Sequence, residues 1–266
     1  MYEAFFEMKN TPFTQSIPTA NLYITQQLDE ILGRLETVAD KQMFATITAD
    51  VGCGKTTILR RFRDSLDPSK YVCLYLSDSA LRPRWLYNGL LEQLGGEQRF
   101  LRGEARRLLH QRLRQLRGLD GKKVVVIIDE SHLLTKETLE ELRFLLNDEM
   151  DSRNPLALIL SGQNELWDKL RKQAYAAVRQ RIDIKCEIPQ MDRSQVAQYI
   201  AAHLQFAGGR ADIFSDGALD EIFKYAIGAP RAVNKACFHC LMCAWQRAVR
   251  IVDDRLVKQV VAHELP

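Results

Sequence analysis

The densest chemistry in this 266-residue chain lies in nine consecutive residues, Ala49-Asp50-Val51-Gly52-Cys53-Gly54-Lys55-Thr56-Thr57. Two glycines one residue apart let the backbone curl until successive N–H groups face a single point, which suits phosphate oxygens. A helix starting at Lys55 directs its positive end at the same anion. Lys55 is long enough to reach β- and γ-phosphates, and the Thr56 hydroxyl is a hard oxygen ligand for Mg²⁺. The expected nucleotide contacts are therefore Val51, Gly52, Cys53, Gly54, Lys55, Thr56 and Thr57, with ATP as the ligand. Loops of this kind usually open on glycine, and here Ala49 stands in that place. Cys53 reads as a small filler.

A second acidic site follows the apolar run Val124-Val125-Val126-Ile127-Ile128, which ends in Asp129-Glu130. In a parallel sheet, ligands collect at the carboxyl ends of the strands. Asp129 is thus expected to hold Mg²⁺, directly or through water. Glu130 is expected to orient or deprotonate the attacking water, which favours hydrolysis over transfer to a bound acceptor.

These residues need a scaffold. Short β-branched or apolar runs at 43–48, 71–76, 124–129, 156–161 and 183–188 read as strands. Helical patterns lie between them at 55–66, 84–94, 101–119 and 138–150, the last with Leu139, Leu142, Leu145 and Leu146 on one face. Alternation of this kind implies an α/β fold with a five-stranded parallel sheet flanked by helices. Beyond Pro189 the pattern turns helical, at 193–206, 215–225, 229–249 and from Asp253, with Ser215, Asp216 and Asp253 as N-cap residues. The expected division is a nucleotide-binding core over 1–189 and an all-helical lid subdomain over 190–266.

Composition narrows the class. Hydrophobic residues make up 46% and charged residues 27%, which excludes disordered or fibrous chains. The net charge is only +3, so affinity for nucleic acid would have to come from local clustering. No apolar run approaches the roughly 20 residues that cross a membrane. The acidic N-terminus lacks the basic start of a signal peptide, so a cytoplasmic location with reduced thiols is expected.

The ordered set of motifs resembles the AAA+ ATPases of the ExeA-like group, which includes transposition helper and regulator ATPases. The resemblance runs along nearly the whole chain. It is carried by Tyr2, Phe5-Phe6, Lys9 and Pro12-Phe13, the phosphate loop, and Asp129-Glu130-Ser131-His132-Leu133-Leu134. Ser161-Gly162-Gln163-Asn164-Glu165-Leu166, Gln180-Arg181-Ile182, and Gly228-Ala229-Pro230-Arg231 with Asn234 complete it. It implies a polar sensor of the γ-phosphate after the fourth strand, best matched by Gln163, with Ser161 second. It implies an arginine finger acting on a neighbouring subunit, Arg181 in preference to Arg179. It makes Arg231 a second sensor, on a helix that Pro230 opens. The segment 1–40 is expected to pack near the nucleotide, with Phe13 and Tyr23 the apolar contacts for the base or simple packing residues. A finger acting in trans implies head-to-tail homo-oligomers, either rings or filaments.

Residues 99–123 carry nine basic and two acidic side chains, a surplus of seven against a remainder of minus four. A stripe of arginines neutralises phosphates and releases counterions. In transposition ATPases, elements in this region line a channel around DNA. Arg102, Arg106, Arg107 and Arg114 are therefore expected to contact the backbone of double-stranded DNA with little base specificity, the alternatives being a solvated face or a subunit contact. The thiols of Cys237, Cys240 and Cys243 fall along one helix and read as core packing rather than a metal site.

The resemblance thus implies an ATP-hydrolysing AAA+ enzyme that assembles on DNA and recruits or regulates a transposase. Secretion ATPases of the ExeA type are the alternative. They carry a membrane segment and a cell-wall-binding region, and this chain ends at Pro266 without either, which favours transposition. A helicase-loader or replication-initiation ATPase is the other alternative.

Overall fold

The computed structural model describes residues 1–77, 81–147 and 154–265. In chain order the elements are α1 (Tyr2–Phe5), α2 (Gln26–Lys41), β1 (Phe44–Thr48), α3 (Lys55–Ser65), β2 (Tyr71–Leu76), α4 (Pro83–Gln93) and α5 (Arg102–Gly118). There follow β3 (Lys123–Ile128), α6 (Lys136–Leu145), β4 (Ala157–Gly162), α7 (Glu165–Arg171), α8 (Ala176–Arg179) and β5 (Ile184–Glu187). The last four helices are α9 (Arg193–Ala207), α10 (Asp216–Ala226), α11 (Pro230–Gln246) and α12 (Asp254–His263).

Two compact units emerge. One comprises Gln27–Asp50 and Ile58–Ile188. Its five strands lie in the order β2-β3-β4-β1-β5, and every pairing is parallel. Every residue of β1 and β4 is buried, and so is every residue of β3 after Lys123, which is why β3 is a continuous apolar run from Val124 rather than an alternating one. On α5, Ala105, Leu109, Leu113 and Leu116 are buried at helical spacing, so the intervening arginines are turned outward. Each such buried leucine contributes about 2 kcal/mol.

Pro83 occupies the first turn of α4, where its missing N–H costs nothing. Helix α6 starts earlier than its apolar pattern because the Thr135 hydroxyl accepts from the Thr138 N–H and caps it. It ends at Leu145, and residues 148–150 of the helix expected there lie outside the described residues. Helices α1, α2, α7 and α8 are not expected from the sequence.

The other unit comprises Met1–Gln26, Val51–Thr57 and Pro189–Pro266. Helices α9 to α12 close on a core that includes Val196, Ile200, Leu204, Val233, Cys237, Cys240, Leu241 and Val257. Asp192 and Gln195 form a capping box at α9, and Ser215 and Asp253 cap α10 and α12 through their side chains. Cys237, Cys240 and Cys243 are buried on α11, where burial pushes the Cys240 thiol up to about 12.

The N-terminal segment belongs to this helical unit. Tyr2, Phe6 and Phe13 lie in its core. The Phe13 ring stacks on His203 with centroids 5.2 Å apart, and its N–H donates to His203 Nδ1 at 3.1 Å. Phe13 is thereby a packing residue, and Tyr23 donates from its hydroxyl to Gln198 Oε1 at 2.6 Å. Among the described residues no helix is long and apolar enough to cross a membrane.

Candidate functional site

The phosphate loop leaves β1 and enters α3. Gly52 and Gly54 have φ of +82° and +87°, a region where side chains are strained, so the curl expected of this loop is present in the backbone. A β-carbon on Gly54 would meet no atom within 4 Å. Gly52 is different: a β-carbon there would lie 3.1 Å from Arg231 Cβ. The cause is a hydrogen bond from the Arg231 N–H to the Gly52 carbonyl at 3.2 Å. Helix α11 starts with Ala229 at its N-cap and offers no side-chain cap, and Pro230 has no N–H. Arg231 therefore carries the first orphan donor of the helix, and the loop carbonyl satisfies it.

Within the loop Lys55 and Cys53 are buried, Val51, Thr56 and the Arg231 side chain are exposed, and Thr57 is half-buried. Ala49 is fully buried, and its N–H donates to the Gly162 carbonyl at 3.3 Å. It extends the β1–β4 ladder. The next residue, Asp50, accepts from Asn164 Nδ2 at 2.7 Å.

The sheet unit holds the acidic residues. Asp129 is only 3% exposed, and a carboxylate so placed must be hydrogen-bonded. Its Oδ1 accepts from the Glu130 N–H at 2.9 Å and the Ser161 hydroxyl at 2.7 Å. Its Oδ2 accepts from the Tyr75 hydroxyl at 2.9 Å. Burial, and then the bond to Asp129, pushes the Tyr75 phenol well above its ordinary range, so it remains a donor. An anchored carboxylate of this kind suits a hard divalent cation.

Glu130 stands in the left-handed region, with φ 50° and ψ 32°. This turns its chain away from the strand, and its side chain is 43% exposed with Oε2 3.5 Å from His132 Nδ1. The same ring nitrogen accepts from the Gln163 N–H at 3.4 Å. His132 thus joins the acidic turn to the segment after β4. Lys169 fixes this turn from α7, donating to the carbonyls of His132 and Leu134. The Ser131 hydroxyl bonds the Ile128 carbonyl at 2.7 Å. Burial lowers the Lys169 pKa.

Two groupings therefore exist. The helical unit brings Gly52 and Arg231 together, and the sheet unit brings together Asp129, Glu130, Ser161 and Gln163. Ser161 spends its hydroxyl on Asp129. The arginines separate as well. Arg179 donates to the carbonyls of Leu170 at 3.1 Å and Arg171 at 2.6 Å, capping the end of α7. Arg181 is half-buried in the turn before β5.

Along α5 a groove of about 910 Å³ is lined by Arg106, Arg107, His110, Gln111, Arg114 and Asn147, among others. The Arg106 guanidinium also lies 5.1 Å from the Phe144 ring centroid. Arg102 does not line this groove: it pairs with Glu137 at 3.1 Å and Glu141 at 3.7 Å. Tyr75 and Lys169 escape sequence reasoning, because each acts through a partner on a different element, and His132 appears there only within its motif, without a role. His110 is visible only as part of the basic stretch.

A family model described as "AAA domain" matches residues 38–170, half of the chain. The chain is 31% identical over 251 residues to the General secretion pathway protein A of Aeromonas hydrophila. The match covers 93% of this chain and 45% of that protein, so the chain spans under half the length of this relative. Among solved structures, the Aeropyrum pernix ORC2 protein in ADPNP–ADP complexes aligns with a TM-score of 0.66 at 16% identity, over 97% of this chain and 71% of that one. Drosophila ORC bound to DNA aligns with a TM-score of 0.65 at 16% identity, over 100% and 65%. These structural likenesses establish a shared fold. With the phosphate loop in place and the acidic pair at the end of β3, the chain belongs to the AAA-domain family, as a nucleotide-binding, ATP-hydrolysing P-loop enzyme.

Proposed function

We propose that this ATPase assembles on double-stranded DNA in an ATP-dependent manner and from there recruits or regulates a transposase in the cytoplasm. The observation that carries the DNA part is the α5 groove, where Arg106, Arg107, His110 and Arg114 converge with few opposing acids. Such a surface binds the phosphate backbone with little base reading. That the relative solved as Drosophila ORC is bound to DNA supports the same direction. The transposase rests on the motif set of the sequence.

In this reading Lys55 and Thr56 hold the phosphates and Mg²⁺, and Asp129 holds the metal. A bound magnesium ion would supply positive charge to the β- and γ-phosphates. Glu130 orients and deprotonates the attacking water, while Gln163 and Arg231 respond to the γ-phosphate. Arg181 of a neighbouring copy, in preference to Arg179, supplies charge in the transition state. Head-to-tail contacts follow.

Electron microscopy with a non-hydrolysable ATP analogue, with and without duplex DNA, tests the reading. Rings or filaments that require both ligands are expected. Monomers under every condition would remove the finger in trans and the assembly with it. A second reading, a secretion-type ATPase, is favoured by the kinship with General secretion pathway protein A. In that case assembly would be indifferent to DNA.

A further inference from the structure

We propose that Tyr75 is a positioning residue for Asp129, and that its hydroxyl, with that of Ser161, sets the magnesium dependence of nucleotide binding. The proposal rests on the reading of Asp129 as the metal-holding carboxylate.

The sheet order explains the arrangement. Strand β3 runs between β2 and β4, and Asp129 is the first residue beyond its end. Tyr75 reaches it from β2 and Ser161 from β4, one on each side. The two hydroxyls bond different carboxylate oxygens, Tyr75 to Oδ2 at 2.9 Å and Ser161 to Oδ1 at 2.7 Å. Oδ1 also accepts from the Glu130 N–H at 2.9 Å, so the Tyr75 hydroxyl is the strand side chain that holds the other oxygen. Two bonds to opposite oxygens, from separate strands, fix its plane.

Tyr75 is itself held. Strand β2 is at the sheet's edge, so one side of its backbone lacks a strand partner. The Gln93 side chain on α4 serves there instead. Gln93 Oε1 accepts from the Tyr75 N–H at 2.9 Å, and Gln93 Nε2 donates to the Tyr75 carbonyl at 2.9 Å. A chain of bonds therefore runs from α4 through Tyr75 to Asp129. Groups that orient a metal ligand in this way alter metal affinity about 10- to 100-fold when removed.

The test measures affinity for a fluorescent ATP analogue across a magnesium series and in EDTA. Tyr75→Phe removes only the hydroxyl. It is expected to raise the magnesium concentration for half-maximal binding about tenfold, with the affinity in EDTA unchanged. Ser161→Ala moves the midpoint in the same direction. Gln93→Met, which keeps both hydroxyls, moves it by less and serves if Tyr75→Phe does not fold by circular dichroism. A wild-type midpoint in a folded Tyr75→Phe protein, or an equal loss of affinity with and without magnesium, overturns the proposal. Asp129→Asn separates the two ideas. If this variant still responds to magnesium like wild type, the reading of Asp129 itself is wrong. If it loses the response while Tyr75→Phe keeps it, only the positioning role falls.

Discussion

The Arg231 N–H donates to the Gly52 carbonyl at 3.2 Å, so the phosphate loop caps the helix that carries the proposed second sensor. A helix start without a side-chain cap needs an acceptor from elsewhere. The loop provides it with a backbone group, which no substitution of Arg231 removes except proline. The shape of the loop and the start of α11 are tied through main-chain atoms, leaving the exposed Arg231 side chain available for ligand.

This relationship distinguishes the two loop glycines. Gly52→Ala combines a φ of +82° with a 3.1 Å approach to Arg231 Cβ, whereas Gly54→Ala meets only the strain of φ +87°. Gly52→Ala is expected to destabilise the protein by about 2 kcal/mol or more, and Gly54→Ala by about 1 kcal/mol. Urea unfolding without nucleotide compares them. Equal losses would remove the role of the Arg231 contact.

Glu130→Gln keeps the size of the side chain and removes its basicity. Nucleotide affinity should remain within twofold of wild type, while the rate of phosphate release falls by about 100-fold or more, the range expected for loss of a general base. Equilibrium binding and single-turnover hydrolysis measure the two quantities. Normal turnover would exclude Glu130 as the base.

The arginines of α5 should divide by their surroundings. Arg106→Glu, Arg107→Glu and Arg114→Glu each face the groove, and each should weaken binding to duplex DNA and reduce the salt slope by about 1. Arg102→Ala removes pairs to Glu137 and Glu141 and should leave the slope unchanged. Fluorescence anisotropy across a salt series reads both effects. A change for Arg102 equal to that for Arg107 would place the DNA elsewhere on the helix.

Arg179 and Arg181 should fail differently. Arg179→Ala frees the carbonyls of Leu170 and Arg171 and is expected to cost about 1 kcal/mol of stability. Arg181→Ala should abolish hydrolysis. Mixing it with Glu130→Gln protein should restore part of the activity, because some interfaces then pair an intact finger with an intact base. No recovery in the mixture would speak against a finger in trans.

His203 gives a pH dependence of defined sign. Burial holds its pKa down to about 4, and Nδ1 accepts the Phe13 N–H. The unfolded chain takes up the proton first, near pH 6.5, so this contribution is complete above that value and is lost as pH falls toward 4. The loss is of order 3 kcal/mol. Urea midpoints between pH 7 and 4 should fall less steeply for His203→Gln. Parallel curves for the two proteins would show that His203 does not titrate in this window.

Much of this was legible in the residue order, and the reason is local. Strand β3 is apolar from Val124 onward because it is covered on both faces, and the loop needs glycine where φ is positive. Ser215 and Asp253 cap the helices that follow them. What could not be read depends on which strands are neighbours. Tyr75 is an ordinary strand residue until β2 lies beside β3, and Ser161 could be a sensor until β4 flanks the other side. Arg179 resembles Arg181 until α7 ends beneath it. Helix α2 did carry a readable stripe, with Ile31, Leu32, Leu35, Val38 and Ala39 buried at helical spacing, but no catalytic residue drew attention to it.

The left-handed backbone at Glu130 has a consequence for protein engineering. A side chain at φ 50° is disfavoured by about 1 kcal/mol relative to glycine. A library sorted for thermal tolerance alone should therefore enrich Glu130→Gly and discard the residue proposed to activate water. Such a screen would deliver sturdier molecules that hold nucleotide and do not turn over, so directed evolution of this scaffold has to select for turnover in every round.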